Sequence, residues 1–404
     1  MISKNSVWKF PWGYTEGLFI AVGLLTAGIA IQLATGSYIP LPSKPFNLIS
    51  LLLFVAILVF LQLRYKHNPL IKWLSSVPAS ISSISLLLFL ALLMGFIRQD
   101  VSSPPYLLFI NIKHSWMYLL AQVYILTTLG LTVIRRFSFK LSNIGFMLNH
   151  LGLWILLAGA AFGSGDIERY TMHVEKNNVE WIGADNSGKF HELPIAIYLE
   201  DFKVDYYSPQ IGIWSESKQK LLKNPSFNLI KPDTVFKWDV YDFEVKQILH
   251  NAWFMADTFR EAPIPGAVYA AEICIKKDEK PVRRGWISSA SSLQQPFSLT
   301  IDNDLELIMK PPKAKLYQSD IVVFTKSGIE KSGSVTVNNP FTIDGWKIYQ
   351  FGFDEKMGKW STTSVFELVR DPWLPIIYMG FAFLLGGAVF IFINGVGTKK
   401  KNND

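Results

Sequence analysis

Residues 143–165 read NIGFMLNHLGLWILLAGAAFGSG, apolar enough to cross a membrane, yet carrying one imidazole, His150. An ionisable side chain is costly in hydrocarbon, so it should face a partner, a cavity or a ligand. A helix turns about 100° per residue. That spacing puts Met147, Trp154, Leu157 and Ala161 on the face of His150. Gly145, Gly152 and Gly159 recur nearly opposite. Small residues let helix backbones approach closely, so the glycine stripe is the expected packing seam. The His150–Trp154 face is then left for something bulkier. A neutral imidazole beside an aromatic ring suits a flat iron porphyrin, because a histidine nitrogen is a common axial ligand. A hydrogen bond to a neighbouring helix is the other reading, and the residues alone leave the two even. Asn149 serves either one as an interhelical hydrogen-bonding group.

The other histidines give weaker signals. His67 sits in a basic loop and reads as solvated. His114, in NIKHSWMY, reads as an interfacial anchor beside Trp116 and Tyr118. His173, His191 and His250 fall on three separate stretches without metal-site spacing. No nucleophile–base arrangement, phosphate loop or GxGxxG stands out, and scattered carboxylates nominate no acid/base pair, so no catalytic residue is assigned. The lone Cys274 excludes an intrachain disulfide, a CxxC pair and a cysteine-based zinc site. Half of the residues are hydrophobic and 13 are Trp, with a net charge of +7. In so apolar a chain, basic charge points to lipid head groups and topology before nucleic acid.

Six segments approach the roughly 20 apolar residues a bilayer needs. They are Gly17–Leu33, Phe46–Leu63, Ile81–Ile97, Leu119–Ile134, Ile144–Phe162 and Leu374–Ile393. The first resembles a signal peptide in its basic end, but four spans follow closely, which favours an uncleaved first span. With the N-terminus inside, the inner segments hold Lys4, Lys9; Arg64, Lys66, Lys72; Arg135, Arg136, Lys140; and Lys399, Lys400, Lys401. The short outer loops hold Lys44, Arg98 and Lys113. Eleven against three sets both termini inside, and His150 in the inner half of span five.

The stretch between spans five and six must then lie outside, and it reads as β. LPIAIYLEDFKVDYY (Leu193–Tyr207) partly alternates apolar and polar residues, as a half-buried strand does. VFKWDVYDFEVKQIL and FSLTIDNDLELIMK are similar. In FTIDGWKIYQFGF, Asp344-Gly345 predicts a tight hairpin turn, with Trp346 and Tyr349 in the hairpin core. The expected fold is therefore six transmembrane α-helices plus a mainly antiparallel β domain, sandwich or barrel-like, inserted between helices five and six.

At this point the chain resembles the ResB/CcsB proteins of the system II cytochrome c maturation pathway. Leu74–Gln99, Ser115–Arg136 and the LNHLGLWILLAGA stretch are similar to that family's first three spans. LPIAIYLEDFKVDYYSP is similar to its first outer strand. VTVNNPFTIDGWKIYQFGFD through VFELVRDPWLPIIYMGF resembles its closing motif, a VN-P segment, a G-x-x-x-YQ strand and an R-D-P lead into the last span. The likeness runs from about residue 74 to 394 and departs at the N-terminus, where two further spans stand. It divides the chain at residues 1–73, 74–162, 163–371 and 372–404.

The resemblance implies a function. Such proteins work with a CcsA-type membrane partner that carries a WWD segment, absent here, and with apocytochrome c. It makes His150 an axial ligand of heme b shared with a partner histidine, with Trp154 beside it. The implied location is the bacterial inner membrane, with the β domain periplasmic or otherwise extracytoplasmic. A quinol-oxidising b-type cytochrome, or a non-heme membrane scaffold or sensor with a β ectodomain, are the alternatives.

Overall fold

The computed structural model describes residues 8–229, 231–310 and 312–398. Lys4 and Lys399, Lys400 and Lys401, used in the charge count, lie outside the described residues. The helices are α1 (Tyr14–Thr35), α2 (Phe46–Arg64), α3 (Pro69–Leu74), α4 (Val77–Phe96), α5 (Trp116–Arg135), α6 (Ile144–Gly163) and α7 (Leu374–Thr398). All but α3 are long and apolar enough to cross a membrane. The chain forms two compact units. The helical unit runs to Ile167 and resumes at Asp371; the β unit is Glu168–Arg370.

The helical unit is held by close backbone approach and by hydroxyl pairs. A Cβ on Gly28 of α1 would lie 2.6 Å from the Met117 Cα of α5. Between α4 and α5, Ser82 Oγ is 2.7 Å from the Tyr124 hydroxyl, and Ser83 Oγ is 3.0 Å from Thr128 Oγ1. Such polar pairs hold helices together where lipid offers no hydrophobic gain for association. Leu52, Leu63, Leu385 and Phe392 stay exposed, as side chains facing lipid would. The two additional N-terminal spans are part of this packing: α1 lies on α4 and α5, and α2 on α5 and α6. Helix α3 is six residues long, too short to show a helical period in the sequence.

The β unit contains β1 (Glu168–Glu175), β2 (Val179–Ala184), β3 (Phe190–Tyr206), β4 (Gln210–Ser215), β5 (Lys220–Asn228), β6 (Val235–Trp238), β7 (Tyr241–Met255), β8 (Thr258–Glu261) and β9 (Val268–Lys277). It continues with β10 (Lys280–Ser288), β11 (Ser298–Thr300), β12 (Leu305–Met309), β13 (Ala314–Thr325), β14 (Glu330–Thr336), β15 (Phe341–Ile343), β16 (Trp346–Phe353) and β17 (Thr363–Arg370). Eight strands make one antiparallel sheet in the order β14-β13-β3-β2-β1-β17-β16-β15. Its ends come back together, with the Phe341 ring of β15 packed over Gly333 of β14. The sheet is thus a nearly closed barrel around Met172, Ile197, Val323, Trp346 and Phe366. Two smaller sheets, β10-β9-β7-β6 with β8, and β11-β12-β4-β5, face each other across Ile213, Phe243, Ile273 and Leu307. The sequence suggested one sandwich or barrel-like body; the unit holds one core of each kind.

The Asp344-Gly345 hairpin is present. Both residues have positive φ, 46° and 78°, as the two-residue turn needs. Trp346 is fully buried, whereas Tyr349, three positions on, is half-buried on the other face of the strand. VFKWDVYDFEVKQIL is two strands, because the chain turns at Asp239 with φ 52°. FSLTIDNDLELIMK also breaks, where Asp302 Oδ1 accepts from the amides of Asp304 and Leu305. In both, a short aspartate supplies the turn inside what reads as one β-rich run.

Candidate membrane histidine site

His150 lies on α6, one turn after Phe146. Its Nδ1 is 2.9 Å from the Phe146 carbonyl oxygen. A carbonyl only accepts, so Nδ1 carries a proton, and in the neutral ring Nε2 keeps its lone pair. Nε2 makes no hydrogen bond among the described residues, and His150 is half-buried. The imidazole stacks on the Phe146 ring at 3.9 Å between centroids. The Arg136 guanidinium covers that ring 4.9 Å from its centroid, a cation–π contact. Backbone and aromatic neighbours therefore fix the tautomer of the neutral ring, with Nε2 as its electron-pair donor. That is the form in which imidazole binds a metal, its second nitrogen held by a hydrogen bond. Among the described residues no group of three or more His, Cys, Asp or Glu could hold a metal ion. His150 is thus a lone nitrogen donor rather than one member of such a group.

The predicted glycine seam is a packing surface, and its partner is α7. A Cβ on Gly152 would lie 2.8 Å from the Gly380 carbonyl oxygen, and one on Gly145 would lie 2.6 Å from Ile391 Cγ1. Gly159 faces Ile377. Helix α7 answers with glycines of its own, Gly380 against Leu156 and Gly387 against Asn149. Among the described residues Asn149 does not bond another helix; its Nδ2 donates to the Gly145 carbonyl of its own helix at 3.1 Å.

The opposite face is divided. Trp154, Leu157 and Ala161 pack into a cluster with Leu51, Phe54 and Ile125. The Trp154 indole rests on Gly130 and donates to the Leu126 carbonyl at 3.1 Å. From Trp154 onward the face is filled by α2 and α5. His150 is outside that cluster, at the end of α6 nearer Arg136.

A second polar centre was not visible in the sequence. Asp166, just past α6, takes Asn47 Nδ2 and Trp373 Nε1 on Oδ2, both at 2.7 Å, and the Lys44 amide on Oδ1 at 2.8 Å. Asn47 and Trp373 are buried, and Asn47 also donates to the Phe162 carbonyl at 3.0 Å. One carboxylate thus joins the starts of α2 and α7 to the end of α6. Asp371, of the R-D-P stretch, accepts from the Trp373 amide at 2.9 Å and sets the turn into α7. Asn47 and Trp373 lie 119 and 207 positions from Asp166, so no local spacing could reveal this centre.

The remaining histidines stay apart. His67 is exposed, and His114 Nδ1 pairs with Asn111 Oδ1 at 2.7 Å, with burial and then Lys113 lowering its pKa. His173 is exposed on β1, and His191 Nε2 bonds Asp185 at 2.8 Å. In the β unit a cleft of about 460 Å³ is lined by Tyr206, Tyr269, Tyr317, Phe353, Lys359 and Trp360. Lys359 Nζ donates to the His250 carbonyl and to Asn251 Oδ1, both at 2.6 Å, and lies 5.0 Å from the Tyr269 ring centroid. Burial lowers the Lys359 pKa against the opposing pull of Glu261. Burial, with Tyr269 and Glu355 adding to it, pushes the Tyr206 hydroxyl up to about 12. Aromatic packing and these hydrogen bonds shape the cleft; His250 contributes its carbonyl.

The barrel core around β16 bears on what the chain is. Gln350, of the YQ pair, is buried with Ser319 and Ser364: Ser319 Oγ donates to Gln350 Oε1 at 2.6 Å, and Gln350 Nε2 donates to Ser364 Oγ at 2.8 Å. The VN-P, YQ and DG features thus belong to one barrel segment. Residues 277–364 match the ResB-like family. The ResB-like stretch lies wholly within the β unit, running from the end of β9 into β17. It bears out the ResB/CcsB resemblance and supports involvement in cytochrome c biogenesis. His150 lies outside the matched residues. Comparison with curated proteins returns no match.

Proposed function

We propose that this chain is the heme-handling membrane subunit of a system II cytochrome c synthetase, working with a CcsA-type WWD protein to deliver heme to the CxxCH segment of apocytochrome c. The observation that carries this reading is the His150 tautomer. Donation from Nδ1 to the Phe146 carbonyl leaves Nε2 of the neutral ring, which has no partner among the described residues, as a ligand atom in a membrane helix. One such nitrogen per chain suits a site completed by a partner histidine. Heme b is the cargo; with both axial positions filled by nitrogen, its iron would be shielded from oxidation in transit. Phe146 orients the imidazole, Trp154 bounds the site one turn along, and the glycine seam keeps α6 fixed against α7. In this reading both termini face the cytoplasm of a bacterial inner membrane. The β unit is extracytoplasmic and offers docking surface to apocytochrome c or to the partner.

The test is the absorption spectrum of the complex co-purified with its partner. Wild type should show a six-coordinate heme band. His150→Ala should lose it, and added imidazole should restore it. An unchanged band in His150→Ala overturns the assignment.

A further inference from the structure

At the basic end of the helical unit, a cavity of about 390 Å³ is lined by Phe10–Trp12, by His67, Pro69, Lys72 and Trp73, and by Ser76. Among the described residues, five buried side-chain polar atoms have no hydrogen-bond partner: Trp12 Nε1, Gln62 Oε1, Trp73 Nε1, Ser76 Oγ and Trp116 Nε1. Three of the five belong to residues of this one cavity. Trp73 is almost wholly buried, and Trp12 packs edge-on against it at 5.4 Å between centroids.

An indole N–H can only donate, and a hydroxyl can donate. Buried donors left unmatched are unfavourable, so the group that completes this wall is an acceptor. Its charge follows from the rim. Lys72 and His67 line the cavity, Lys9 precedes Phe10, and Arg135 Nη1 donates to Ser75 Oγ at 3.0 Å beside Ser76. The Glu16 carboxylate is engaged by the Gly13 amide at 2.8 Å. The described lining thus brings unmatched donors and Lys72 to one cavity with no carboxylate among them, which selects an anion rich in acceptors, as a phosphate is.

The surroundings select its source. Trp8, Phe10, Phe19 and Leu70 are exposed beside the cavity. Phe10 stacks on Trp12 at 4.4 Å, and Trp8 lies 6.3 Å from Phe19. An apolar aromatic strip thus leads from the cavity along α1. Soluble phosphate would leave that strip unused. A phospholipid would set its phosphate among Trp12, Trp73, Ser76 and Lys72 and lay its acyl chains along Phe10 and Phe19.

We propose that this cavity is a binding site for the phosphate head group of an anionic phospholipid. The site is built by the N-terminal segment and α3 and is independent of His150.

The test uses the delipidated full-length chain in neutral detergent. It is titrated with short-chain phosphatidylglycerol, short-chain phosphatidylcholine and inorganic phosphate, and bound molecules are counted by native mass spectrometry. One phosphatidylglycerol per chain should bind about tenfold tighter than phosphatidylcholine. Lys72→Gln and Trp73→Phe should each lose about that factor. Lys66→Gln, which removes a neighbouring cation outside the cavity lining, should change little. Lys72 is exposed, so its variant reads binding without disturbing the core. Equal binding of the two lipids, unchanged binding in Lys72→Gln, or an equal loss in Lys66→Gln overturns the site. Inorganic phosphate binding as tightly as the lipid overturns the lipid assignment.

Discussion

His150 Nδ1 sits 2.9 Å from the carbonyl oxygen of Phe146, and that one contact decides what the imidazole can do. It satisfies the ring's single N–H inside its own helix. The protein thereby keeps a polar side chain in an apolar span without using a second helix, and Nε2 stays available. A buried histidine serving helix packing would direct a ring nitrogen to a neighbouring helix; among the described residues this one does not.

Because the contact is local, His150 adds little to stability. His150→Ala should change unfolding by no more than about 1 kcal/mol, the usual net contribution of one hydrogen bond. The same substitution should abolish the heme band of the complex. Thermal unfolding of the full chain beside the complex's spectrum separates the two roles. A large loss of stability would show that the imidazole is a packing element instead.

The seam between α6 and α7 should be intolerant of bulk. Leucine at Gly152 would place a Cβ 2.8 Å from the Gly380 carbonyl and 2.9 Å from the Leu384 amide nitrogen, so backbone, not a flexible side chain, must move. Overpacking of that kind costs about 1–3 kcal/mol. Gly95→Leu is the matched control, since nothing lies within 4 Å of a Cβ there. Detergent-solubilised Gly152→Leu should unfold at a clearly lower temperature than wild type, with Gly95→Leu unchanged.

Features set by a single element were legible in the sequence. The spans, the Asp344-Gly345 turn and the Gly145–Gly152–Gly159 stripe each follow from local period or local backbone need. Features made by distant segments were not. The periodicity of α6 could show that Trp154 shares a face with His150, but not that α2 and α5 fill that face from Trp154 onward. Asn149 looked interhelical because its own-helix carbonyl is invisible to a pattern of side chains. Asp166 looked like an ordinary residue at a span end; its role comes from Asn47 and Trp373, which the fold brings in from both ends of the chain. The role of the two N-terminal spans was equally hidden, and Asn47 ties one of them to α6 and α7.

That junction should be strongly coupled. Asp166→Ala leaves the buried Trp373 indole and Asn47 amide without their acceptor, an effect of about 2–4 kcal/mol for charge-assisted bonds. Asn47→Ala and Trp373→Phe each remove one donor to the same oxygen, Oδ2. In a double-mutant cycle their effects should be non-additive by at least about 0.5 kcal/mol. Additive effects would mean that the carboxylate does not link the two helices energetically.

The β unit should carry an acid-sensitive component at Asp201. Lys176 Nζ lies 2.6 Å from Oδ1 and Lys203 Nζ 3.1 Å from Oδ2. These ammonium groups, Lys176 first, hold the Asp201 carboxyl down to about 2. An unfolded aspartate titrates near about 3.9. The folded state therefore binds its proton later as pH falls. The stabilisation is complete above about pH 4 and is lost as pH drops toward 2. Asp201 is about one-third exposed, so solvent screening limits its contribution to the order of 1 kcal/mol. Asp201→Asn should lower the unfolding temperature of the full chain at pH 6, and the two proteins should converge toward pH 2. Thermal unfolding followed by circular dichroism in the β region, across that pH series, is the measurement. A constant difference between the two curves at every pH would show that the ion pairs, though formed, do not stabilise the fold.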